Sequence, residues 1–155
     1  MRERTHWLMS AVIVGLAVAQ VGGQTTTQDA RPTAFTIDGG VALWTVVIKA
    51  DKTQDFEAIM ARLQQALRQS DKPERQQQAA GWKLLKIDKP MPDGNVVYVH
   101  VINPVVRGAD YTLLQILYDE FPDERQAMYD LYRGAFAQSL SLVSGSLVAD
   151  SAQTQ

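Results

Sequence analysis

The spacing of apolar residues changes period several times along this chain. Residues 41–50, VALWTVVIKA, are a β-branched and aromatic run that predicts a first strand. In the following DFEAIMARLQQALRQ, residues Phe56, Ile59, Met60, Leu63 and Leu67 recur at i, i+3, i+4, i+7 and i+11, one stripe of an amphipathic helix. Arg62, Gln64, Gln65 and Arg68 fall mainly off the stripe, and Asp51 or Thr53 is placed to cap the helix. Pro73 suits a first helical turn, so a short second helix is expected to stop near Gly81.

The period then returns to two. WKLLKID (residues 82–88) predicts a second strand, KPMPDGN (89–95) a turn, and NVVYVHVINP (95–104) a third strand, so that the pair forms an antiparallel hairpin. Beyond Asp110, a candidate cap, YTLLQILYDEF places Leu114, Leu117, Tyr118 and Phe121 on one helical face. Pro122 restarts the helix, with Asp123 and Glu124 in a favourable acidic first turn. Met128, Leu131, Tyr132, Ala135 and Phe136 continue the apolar side. The closing LSLVSGSLVAD alternates weakly and suits either an edge strand or a tail.

Strand, helix, hairpin, helix and strand in that order predict an α+β domain of ferredoxin-like plan, an antiparallel sheet with its helices on one face. The third strand then poses a problem. Val97, Val99 and Val101 share one face, while Val96, Tyr98, His100 and Ile102 share the other. Helices cover only one of these faces, so something else is expected to cover the second.

The N-terminus changes where such a domain would work. Arg2 and Arg4 precede an apolar run from Trp7 to Val18, and Ala17-Val18-Ala19 supplies the small residues of a cleavage site before Gln20. Gln20, Gly22, Gly23 and Gln24 end the run short of the roughly 20 residues that a spanning helix needs. We therefore expect a signal peptide over residues 1–19, a flexible leader rich in Thr and Gln over 20–40, the domain over 41–150 and a tail over 151–155. The protein is then periplasmic or secreted, with no stable membrane span after cleavage.

The chain has no cysteine, which excludes disulfides, thiol chemistry and thiolate metal sites. Loss of Arg2, Glu3 and Arg4 leaves 13 basic and 16 acidic residues, a net charge of −3. Residues 41–107 carry ten basic and seven acidic side chains, and residues 108–155 carry two and seven. No Lys/Arg patch interleaved with aromatics occurs, so nucleic acid is not an expected partner. Phosphate-binding glycine loops, the G-x-S-x-G elbow and H-E-x-x-H are also absent from the sequence.

VVIKADKTQDFEAIM (residues 46–60) is similar to the first strand and helix of the dimeric α/β-barrel group that includes the antibiotic-biosynthesis monooxygenases. AAGWKLLKI (79–87) is similar to that group's second strand following a glycine. The resemblance spans residues 41–150. It implies a homodimer whose two sheets pack face to face, with ligands between sheet and helices. Members include quinone-type monooxygenases, haem-degrading enzymes and proteins of no known activity. Haem-binding members place a ligand histidine on a helix; the helices expected here contain none, so no cofactor is expected.

His100 is the one histidine of the expected mature chain and the first candidate for chemistry, as an acid or base or a metal ligand. The alternative is a histidine with its hydrogen bonds satisfied in a dimer interface or beneath the helices. No metal site is expected, because His100 lacks partner ligands and the acidic cluster Asp119, Glu120, Asp123 and Glu124 lacks the spacing of a calcium loop. Trp44, Trp82 and Tyr98 lie on strands expected to be neighbours and could line a flat apolar pocket. Asn103 and Arg107, just past the third strand, match residue types that cofactor-free monooxygenases of the resembled group place around substrate. Tyr111, Tyr118, Tyr129 and Tyr132, at roughly helical spacing, could close a pocket over the sheet or serve as amphipathic packing. Two functions follow as expectations: a dimeric module binding a small apolar or aromatic molecule, or a cofactor-independent monooxygenase-like enzyme with His100 as base.

Overall fold

Strand β1 (Val41–Ile48) lies inside a four-stranded antiparallel sheet, flanked by β3 (Val96–Ile102) and β4 (Phe136–Gly145). Strand β2 (Trp82–Lys86) extends the sheet beyond β3, giving the order β2-β3-β1-β4. The structure is a computed structural model and describes residues 34–149. The expected signal peptide, the leader as far as residue 33 and the tail lie outside the described residues. Four helices complete this α+β fold: α1 (Thr53–Gln69), α2 (Pro73–Gly81), α3 (Leu113–Glu120) and α4 (Arg125–Ala135). Strand order and pairing are compatible with the ferredoxin-like plan. Among the described residues no helix is long and apolar enough to cross a membrane.

Alternation along the strands decides which side is covered. Ala42, Val46 and Ile48 of β1 and Tyr98, His100 and Ile102 of β3 are buried. The apolar ones pack in one core with Phe56, Ile59, Met60, Leu63, Ala66 and Leu67 of α1 and with Ile116 and Leu117 of α3. The α1 stripe read from the sequence is thus the core face, with Ala66 added to it. In α3 the buried side is Leu113, Ile116 and Leu117. Of the expected Leu114, Leu117, Tyr118 and Phe121, only Leu117 is fully buried, while Leu114 and Phe121, the latter just past the helix end, pack partly buried against the core.

The other side of the sheet carries no helix. Leu43, Leu85 and Val143 are 40%, 51% and 56% exposed there, beside the partly buried Val97, Val99 and Val101, although Val47 is buried. His100 projects from the opposite, helix-covered side. Its place in the strand therefore requires no partner chain: of the two surroundings expected for it, a dimer interface and the underside of the helices, it has the second.

Other boundaries also move. The leader does not extend to residue 40, because Ile37 is in the core and Phe35 packs against it. Backbone bonds from Tyr111 N–H to the Phe35 carbonyl (2.7 Å) and from Gly40 N–H to the Gly145 carbonyl (2.7 Å) tie this segment to the domain. Neither Asp51 nor Thr53 caps α1; a 3-10 turn, Ala50–Lys52, leads into it without a side-chain cap bond. Helix α4 ends at Ala135, one residue before the expected apolar side does. Phe136 donates its N–H to the Tyr132 carbonyl and turns extended, opening β4 opposite Ile48.

Helix α2 passes into β2 with no loop between Gly81 and Trp82. A Cβ on Gly81 would stand 2.6 Å from the Pro104 carbonyl oxygen and 3.3 Å from Asn103 backbone atoms. Asn103 N–H also donates to the Gly81 carbonyl (2.9 Å), so neither segment can withdraw without losing that bond. Gly81→Ala is expected to cost about 1–3 kcal/mol, the usual range for overpacking, read as a lower urea midpoint with an unchanged slope.

Candidate functional site

The register of the sheet assembles the aromatic residues. Trp44 stands opposite His100 across β1 and β3, and Leu84 flanks His100 from β2. The His100 ring stacks on Trp44 with centroids 4.7 Å apart and planes at 23°. Phe56 of α1 meets it edge-on at 6.2 Å, and Trp82 tilts against it at 5.8 Å. The Trp82 indole N–H donates to His100 Nδ1 (3.1 Å), so the proton of the neutral imidazole sits on Nε2. Burial lowers the His100 pKa to about 4, since no carboxylate compensates for desolvating an imidazolium. At neutral pH the ring is uncharged and acts as an acceptor for tryptophan.

Beside this cluster lies a pocket of about 270 Å³ between the helix-covered side of β1 and the helices. Trp44 forms its floor; Tyr111, Thr112, Leu113 and Leu114 form one wall, Tyr132 of α4 another, and Phe35 the side next to the N-terminal segment. Phe35 is fixed by its N–H, which donates to Asp110 Oδ1 (2.9 Å), and meets Trp44 edge-on at 5.6 Å. Burial raises the Asp110 pKa, but hydrogen bonds from the Thr112 hydroxyl, the Thr112 N–H and the Phe35 N–H hold the carboxyl below its ordinary value. Asp110 thus joins the N-terminal segment to the start of α3. A second hollow of about 290 Å³, lined by residues 41–43 and 143–147, contains no aromatic side chain.

The pocket's polar groups are nearly all engaged. The Trp44 indole N–H donates to Ser139 Oγ (3.1 Å), the Tyr111 hydroxyl accepts from Val106 N–H (2.8 Å), and the Thr112 hydroxyl donates to Asp110 (2.6 Å). No lining residue is charged. Such a cavity suits an uncharged ring of one or two cycles, its volume being just below the roughly 300–1,000 Å³ of common small-molecule sites.

The residues singled out in the sequence separate into three places. Trp44 lines the pocket. Trp82 and His100 lie behind it, linked to it through Trp44 and through Tyr111, whose ring is 5.4 Å from Trp82. Tyr98 points elsewhere: its hydroxyl donates to Glu57 Oε1 (2.5 Å), which also accepts from Lys86 Nζ (2.8 Å). Asn103 and Arg107 are exposed and do not line the pocket. Phe35 escaped sequence reading because it lies in a polar Thr- and Gln-rich stretch; the alternation Phe35-Thr36-Ile37 was the available signal. Of the four tyrosines, Tyr111 and Tyr132 reach the pocket and Tyr118 and Tyr129 do not.

Two of the four carboxylates of the acidic cluster form ion pairs, Asp119 with Lys72 (3.2 Å) and Glu124 with Arg62. Among the described residues no group of three or more His, Asp or Glu could hold a metal ion. No protein-family model matches the chain, and searches of curated proteins and of solved structures gave no match.

Proposed function

We propose that this is an exported ferredoxin-like domain that binds a small, uncharged aromatic or apolar molecule and forms a homodimer through the open side of its sheet. The aromatic pocket over Trp44, apolar and free of charged lining residues, carries the binding reading. Exposed Leu43, Leu85 and Val143 beside the β3 valines support the dimer, because an apolar sheet face left in water favours burial against another surface. Export rests on the basic, apolar and small-residue pattern of residues 1–19. The monooxygenase-like reading draws no support from His100. Its Nδ1 is engaged by Trp82, burial keeps it from accepting a proton near neutral pH, and it is not among the pocket-lining residues.

Naphthalene is a suitable probe of the pocket, followed by calorimetry on the full chain. Leu114→Glu places a carboxylate at a partly buried lining position. It is expected to weaken naphthalene binding at least about tenfold, since an ionised group beside an apolar ligand loses hydration without a partner. Circular dichroism checks that the variant stays folded. Naphthalene binding of equal strength in both proteins would place the ligand elsewhere and remove this reading.

A further inference from the structure

One lining group stands apart from the rest. Among the described residues the Tyr132 hydroxyl enters no hydrogen bond, whereas the Trp44 indole and the Thr112 hydroxyl donate and the Tyr111 hydroxyl accepts from Val106 N–H. Tyr132 is held in place by its ring, which packs against Phe136 at 5.6 Å where α4 turns into β4. Burial pushes its pKa up to about 12, so the phenol keeps its proton and remains a donor throughout the physiological range. No buried side-chain polar atom among the described residues lacks a partner, so this hydroxyl is reached by water, and a donor on a pocket-lining residue is complementary to an acceptor on whatever displaces that water.

Building on the pocket reading above, we propose that the pocket selects an uncharged ring compound bearing one acceptor oxygen, such as a ketone, which takes a hydrogen bond from Tyr132. A carboxylate is disfavoured because no cation lines the cavity to offset its desolvation. A plain hydrocarbon fits the walls but leaves the hydroxyl unpaired. Tyr132 is therefore the residue that sets specificity, and Trp44, Leu113, Leu114 and Phe35 supply affinity of a less selective kind.

Three probes of matched ring size test this on the full chain: naphthalene, 2-acetylnaphthalene and 2-naphthoate, each titrated against wild type and Tyr132→Phe. Wild type is expected to bind the ketone about three- to tenfold more tightly than naphthalene, the range of one net hydrogen bond, and naphthoate more weakly than either. In Tyr132→Phe the ketone should lose its advantage, read as a ratio of ketone to naphthalene affinity that falls to about one within the variant. Equal affinity for ketone and naphthalene in wild type would overturn the proposal, as would a ketone preference that survives in Tyr132→Phe or tighter binding of naphthoate. Those outcomes leave the apolar pocket itself standing. Failure of naphthalene and the ketone alike to bind wild type would remove the pocket reading and this proposal with it.

Discussion

Acidification from pH 7 to pH 5 is expected to remove about 2 kcal/mol of folding stability, and about 3 kcal/mol is lost by pH 4, with His100 as the source. The folded-state pKa of His100 is lowered to about 4, against about 6.5 for a free histidine in the unfolded chain. Above the unfolded value both states hold a neutral ring and the contribution is complete. Between the two values the unfolded chain takes up a proton that the folded protein refuses, so stability falls as pH falls. The loss levels off once pH drops below the folded pKa. Asp110 and Glu57, whose pKa values are also lowered, begin to release their contributions only near their ordinary values of 3.8 and 4.5, so they overlap the acid end of this window and leave the step from pH 7 to pH 5 mainly to His100. Urea midpoints at pH 7, 6 and 5 should decline in wild type and stay nearly level in His100→Gln. Parallel declines in both proteins would mean that His100 is not the titrating group.

Trp82→Ala should be the most damaging single substitution, costing about 3–5 kcal/mol as a buried aromatic truncation. Trp82 is 2% exposed and touches both His100 and Tyr111, so the cavity would open at the centre of the aromatic cluster. Trp82→Phe separates the hydrogen bond from the packing. It keeps most of the ring and leaves His100 Nδ1 buried without a donor, for an expected cost of about 1–3 kcal/mol. Adding His100→Leu to Trp82→Phe should return part of that loss, because removing both partners costs less than stranding one. If the double variant is no more stable than Trp82→Phe, the indole N–H is not the group that keeps His100 satisfied.

Much of this architecture was legible where one period dominated. The stripe from Phe56 to Leu67 located α1 and its buried side, and the strand-forming runs around Trp44, Trp82 and Tyr98 located three strands and their antiparallel pairing. Parity along β3 correctly grouped Tyr98 with His100, but parity cannot say which group faces the helices. That choice follows from the register with β1 and from where α1 lies, both long-range properties. Helix α4 and β4 blurred together because Phe136 extends the apolar side of α4 while its backbone has already turned extended. The site was less legible than the fold. Trp44 was identified, but Phe35 reaches the pocket through hydrogen bonds to Asp110 and Tyr111, some 75 residues away in sequence. Asn103 and Arg107 were chosen by residue type and by their place just past the third strand, and they end at the surface.

Native mass spectrometry of the protein recovered from the cells that make it tests the central claim most directly. The account predicts a dimer carrying additional mass, one uncharged molecule of one or two rings for each chain. A species at the bare mass of the chain, in any oligomeric state, would contradict the proposal that the pocket over Trp44 is a binding site.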